Sequence, residues 1–78
     1  MTKVEMLTQA KTMREQEIFE YQINIDNFKI ALQNIAAMPA EERQSVSEFE
    51  AQLSKLLNDN LREQKKAQIM LDAINAQL

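Results

Sequence analysis

The sequence predicts an all-α protein: an antiparallel, coiled-coil-like two-helix hairpin, completed as a four-helix bundle or a higher helical assembly when copies associate. Three observations predict it. The chain has no glycine and is dominated by Gln, Glu, Ala, Leu, Ile, Lys and Met, most of which lose little freedom in a helix. A single proline, Pro39, divides it near the middle. On either side of that proline, apolar residues recur at alternating spacings of three and four, the mark of a helix packed along one stripe.

The first helix is expected over about 2–37. Met38 precedes Pro39 and is therefore steered away from the α region, so the helix ends before it. Its seam reads Ile18, Tyr21, Ile25, Phe28, Leu32 and Ile35. Continued toward the N-terminus, the same register reaches Val4 and Leu7 but passes through Lys11 and Arg14. Met6, Ala10 and Met13 offer a shifted apolar face at that looser end.

An elbow follows, over about 38–46, and its reading stays open. Pro39 suits the first position of a helix, with Glu41 and Glu42 complementing the positive end of its dipole. Ser45 and Ser47 are also good N-caps, each with a glutamate three residues on, at Glu48 and Glu50. Either a short turn at 39–43 precedes a helix starting at Ser45 or Ser47, or one helix runs on from Pro39.

The second helix is expected over about 47–77, with Phe49, Leu53, Leu57, Leu71 and Ile74 in its seam. Val46, Leu56, Ala67 and Leu78 join the same stripe, whereas Leu61, Ile69 and Met70 lie off it. Asn60 and Gln64 interrupt the stripe, and a hairpin folded near residue 41 sets them opposite Ile18 to Gln22. They are expected to form a polar layer with Tyr21 as a hydrogen-bonding neighbour, because buried amides cost stability unless paired. The same pairing sets Glu15 and Glu17 opposite Lys65 and Lys66, and Arg14 near Asp72.

One feature exceeds what a hairpin needs. At about 100° per residue, Phe19, Ile23 and Ile30 fall together on the side of the first helix opposite its seam. They are the candidate interface for a partner or another copy, with Met6 and Met13 extending it. Seventy-eight residues form a single domain, 1–78, near the size at which one core barely suffices. Without Cys or His, disulfides are excluded and zinc and haem lose their usual ligands, which leaves oligomerisation as the expected staple.

Chemistry is thinly provided. There is no His for acid–base work and no Cys nucleophile, and Ser45, Ser47 and Ser54 have no recognisable base beside them. The carboxylates Glu15, Glu17, Glu20, Glu41 and Glu42 lack the Glu-x-x-His pattern of di-metal bundles and read as solvated faces. No catalytic, cofactor-binding or metal-binding residues are assigned, and no small-molecule substrate is expected.

A net charge of −3 and a pI near 4.9 argue against a nucleic-acid footprint. The cluster Arg62, Lys65 and Lys66 is offset by Asp59 and Glu63 on neighbouring turns. No apolar run approaches the roughly 20 residues of a membrane span, and the N-terminus lacks the roughly 7–15-residue apolar core of a signal peptide. These features lead to the expectation of a cytoplasmic protein that binds neither membrane nor nucleic acid.

What survives is a non-enzymatic protein–protein interaction module, a small oligomeric assembly factor, chaperone or adaptor that docks helical segments of another protein. The alternatives are a structural component of a larger helical assembly and a small acidic inhibitor. In size and composition the chain is similar to small helical proteins of bacteria and their phages, such as assembly chaperones of secretion needles or tail fibres and small phage inhibitors. That likeness is one of architecture over the whole length.

Overall fold

The computed structural model describes all 78 residues as three helices: α1 (Lys3–Ala36), α2 (Ala40–Ser45) and α3 (Ser47–Asn75). α1 and α3 lie antiparallel along each other in a rod of 60 × 16 × 14 Å. The fold is a helical hairpin with no strands.

α1 begins at a working cap. The Thr2 hydroxyl oxygen accepts the Glu5 backbone N–H at 3.1 Å, satisfying one of the donors left free in a first turn. The helix then runs 34 residues to Ala37, whose N–H still bonds back into its last turn. Met38 donates its N–H to the Ile35 carbonyl at 3.1 Å, and Pro39 turns the chain out in extended conformation (φ −56°, ψ 149°). No residue has positive φ, so the reversal needs no glycine. It is instead spread over Met38, Pro39 and the single short helix α2.

α2 opens with Glu41 and Glu42 in its first turn and closes at Val46 (φ −115°, ψ 20°), a kink that hands the chain to α3. Here the expected serine caps fail. The Ser45 hydroxyl donates to the Glu42 carbonyl at 2.6 Å, closing the end of α2 rather than capping α3. Ser47 is already inside α3, whose N-cap residue is Val46, with no side-chain cap bond. The kink decides this: once Val46 takes the bend, the hydroxyl before it faces backward and the one after it is helical.

The core is a single seam. Its fully buried members are Ile25 and Ile35 from α1 and Leu53, Ala67 and Ile74 from α3. Ile18, Tyr21, Phe28, Leu32, Leu57 and Leu71 are half-buried between them. The charged positions Lys11 and Arg14 are half-buried as well, so the α1 register holds as far as Leu7. A two-helix seam covers each side chain on one side only, which is why so few disappear from solvent.

Phe49 does not belong to this seam; it stands 53% exposed. Alternation of four and three counted back from Leu57 through Leu53 reaches Glu50 and then Val46, both half-buried, and leaves Phe49 on the flank. Glu50 fits there because Arg43 from α2 reaches over it, with Nη2 2.8 Å from Oε2 and Nε 3.2 Å from Oε1.

Candidate functional site

Two features of the hairpin could serve function: the polar layer in its seam and the apolar side chains it leaves outside. The polar layer is built from four amides. Gln64 Nε2 donates to the Ile18 carbonyl at 3.2 Å and to Gln22 Oε1 at 2.9 Å. Asn24 Nδ2 donates to Asn60 Oδ1 at 3.3 Å, while Asn60 Nδ2 donates to the Leu56 carbonyl of its own helix at 2.7 Å. Tyr21 was expected among these partners, and no bond joins it to either amide. The reason is geometric: Tyr21 is itself in the seam, so its ring fills the interior while Gln22 and Asn24 lie on the flanks where the amides reach out.

Charge plays a smaller part between the helices than the sequence suggests. The four ion pairs are Arg14–Glu17, Arg43–Glu50, Arg62–Asp59 and Lys66–Glu63. None joins α1 to α3, so the expected pairing of Glu15 and Glu17 with Lys65 and Lys66, and of Arg14 with Asp72, does not form. Partners three residues away on the same helix are already within reach, and closing such a pair orders less chain. Arg43–Glu50 alone ties two elements together. The hydrogen bond from Arg43 lowers the Glu50 carboxyl from its ordinary value, desolvation opposes it in part, and the positive charge of Arg43 adds the smallest share.

The outer surface is where apolar side chains accumulate. Phe19 is 66% exposed, Ile23 46% and Ile30 56%, and the three lie within about 40° of one another around α1, turned away from α3. Met6 and Met13 are exposed too, but about 80–100° around the helix from Ile23, so they form a separate line. Ile69 is exposed on α3.

A third line was not singled out from the sequence. Phe49, Leu56 and Met70 stand on one flank of α3 in a seven-residue series interrupted by Glu63, and all three are exposed. Their spacing is the signal that could have revealed them; it was hidden because Phe49 and Leu56 were assigned to the seam. The opposite flank carries a groove of roughly 590 Å3 lined by Ile18, Gln22, Leu61, Gln64, Lys65 and Gln68, three of them amides. A second hollow of roughly 510 Å3 lies at the elbow beside Val46 and Phe49.

No cluster of three or more acidic side chains is arranged to hold a metal ion, and no helix is long and apolar enough to cross a membrane. The fold and surface thus define a class, an antiparallel helical hairpin with more apolar surface than its own seam uses. Beyond that class, no protein-family model, curated protein or solved structure matches the chain.

Proposed function

We propose that the protein is a non-enzymatic protein–protein interaction module, a small assembly factor or adaptor that associates with its own copies and docks helical segments of another protein. The observation that supports this reading is the imbalance between interior and surface. Five residues are buried, all of them apolar, whereas fourteen large apolar side chains are exposed. Exposed apolar residues scattered singly are ordinary. Phe19, Ile23 and Ile30 instead share one line on a long, straight helix, the form of surface that takes an amphipathic helix from a partner. Burying the half or so of each that remains exposed contributes roughly 0.8–1.5 kcal/mol per residue, together a sizeable share of the stability of a domain this small.

The test is light scattering after size-exclusion chromatography, on the wild type and on Phe19→Asp combined with Ile23→Asp. The wild type is expected to exceed the 9.1 kDa of one chain. A well-folded wild type that stays monomeric at micromolar concentration refutes self-association. Binding of a partner through the outer line is expected to vanish in the double variant at unchanged helicity, and to resist added salt. Steep loss of binding with salt would favour an acidic inhibitor instead.

A further inference from the structure

The proposed self-association leaves open which surface the copies share, and the third apolar line answers it. Gln22, Leu61 and Gln68 line one groove between the long helices. A residue two further along a helix lies about 200° around it, so Asn24, Glu63 and Met70 face the opposite flank. Seven-residue steps from these add Ala10, Glu17 and Ala31 on α1, and Phe49 and Leu56 on α3. Burial agrees at three of the four α1 positions: Ala10, Glu17 and Ala31 are half-buried and Asn24 is exposed, whereas Glu15, Gln22 and Lys29 of the other flank are all exposed.

This flank has a pattern along its length. The Gln64–Ile18 and Asn24–Asn60 bonds set the level of one helix on the other. By that level Met70 stands beside Met13, one turn from Ala10, and Ala31 lies between Phe49 and Leu56. Each end of the flank therefore pairs a small residue on α1 with large ones on α3, and the middle holds Glu17 and Glu63, paired on their own helices with Arg14 and Lys66.

We infer that this flank, carrying Ala10 and Ala31 of α1 and Phe49, Leu56 and Met70 of α3, is where a second copy of the chain docks, side by side with both elbows at the same end. The inference rests on the interaction-module reading and specifies its self-associating surface.

Two arguments support a second copy, the area the rod leaves open and a complementarity that sets the orientation. The first is area. The chain exposes 5848 Å2, whereas about 4,900 Å2 is expected of a compact folded chain of its mass. The excess, about 950 Å2 by that scaling, is close to the roughly 800 Å2 that each partner loses in a standard stable interface.

The second is complementarity under two-fold symmetry. With elbows together, α1 of each copy faces α3 of the other. Met70 then lies over Ala10 and Phe49 and Leu56 over Ala31, large against small, while Glu17 and Glu63 of the two copies meet in the middle, each held by a basic neighbour on its own helix. With elbows at opposite ends, α1 faces α1 and α3 faces α3. Ala10 would meet Ala31, and Met70 would crowd Leu56. Interdigitating large and small residues is the better-packed arrangement. The outer line of Phe19, Ile23 and Ile30 stays free for the partner.

The test has two arms. In light scattering, the wild type is expected to be a dimer, Leu56→Glu with Met70→Glu a helical monomer of half the mass, and Phe19→Asp with Ile23→Asp still a dimer. The chain has no cysteine, so Gln44→Cys can carry a single spin label at the elbow. Pulsed dipolar spectroscopy is then expected to read under about 30 Å between copies, since neighbouring helix axes in a bundle lie roughly 8–10 Å apart. A separation approaching the 60 Å length of the rod overturns the elbow-to-elbow arrangement. A dimer that survives the flank substitutions and is lost with the outer-line ones overturns the assignment of the flank but leaves the interaction-module reading standing. A folded, monomeric wild type overturns both. The spin-label arm decides the orientation, and the Phe19→Asp, Ile23→Asp variant the surface, even where the Leu56→Glu, Met70→Glu variant fails to fold.

Discussion

Replacing the polar layer with leucine, Asn60→Leu together with Gln64→Leu, is expected to leave the stability of the hairpin nearly unchanged. Gln64 makes two bonds across the seam, at 2.9 Å to Gln22 and 3.2 Å to the Ile18 carbonyl, and Asn60 accepts one at 3.3 Å from Asn24. Gln22 and Asn24 are exposed, so water replaces what they lose, and each bond contributes only about 0.5–1.5 kcal/mol net. Against this, each new leucine buries about half of a side chain worth roughly 1.5–3 kcal/mol when fully covered. Leucine also favours helix over asparagine by a few tenths of a kcal/mol. The three bonds together are worth about 1.5–4.5 kcal/mol and the two half-covered leucines about 1.5–3 kcal/mol, so the terms nearly cancel. Stability stays within about 1 kcal/mol of wild type, or within roughly 4–8 °C in Tm for a domain of this size. Urea and thermal melts followed by circular dichroism at one fixed protein concentration measure it. A variant less stable than wild type by more than about 1 kcal/mol would refute the reasoning, because the amides would then form a cooperative network stronger than its separate bonds.

Three further outcomes follow from the same structure. Ile25→Ala removes the most deeply buried side chain, 1% exposed, and should cost about 2–5 kcal/mol in denaturant melts. Ile30→Ala, at 56% exposed, should cost under about 1 kcal/mol, and equal losses would contradict the single-seam description. Thr2→Ala should weaken the start of α1 by about 0.5–2 kcal/mol, seen as faster amide exchange confined to its first turns. Because Arg43 lowers the Glu50 pKa, that pair stabilises the fold above the ordinary carboxylate pKa and ceases to do so as pH falls through the lowered one. Arg43→Ala should therefore flatten the acid limb of a Tm–pH profile, and an unchanged limb would mean that the bridge is not linked to folding.

The architecture was legible because it rests on local and periodic rules. Pro39 ended α1 as expected, and alternating spacings located Ile25, Ile35, Leu53 and Ile74, all of them buried. The misreadings came from places where a local rule met a competitor. Phe49 is more apolar than Glu50, but register is geometric, and Arg43 made the acid acceptable in the seam. Ser45 and Ser47 had capping spacing, but the kink at Val46 separated both hydroxyls from the free donors they would have capped. Ion pairs across the seam lost to nearer partners on the same helix. As for the candidate surface, the outer line was legible from helical spacing, whereas the flank line needed the true register first.

The seam also has a direction. Near the elbow, both helices contribute fully buried side chains, Ile25 and Ile35 against Leu53. Toward the open end only α3 does so, through Ala67 and Ile74, while α1 presents Lys11 and Arg14. Contacts near the elbow also join residues close in sequence, so they close the smallest loops and cost the least chain entropy. The hairpin should therefore zip from the elbow outward and fray from the far end inward. The segment bearing Met6 and Met13 is the last to lock down and the first to come free, and a nascent chain would already have made most of it before its pairing strand emerged.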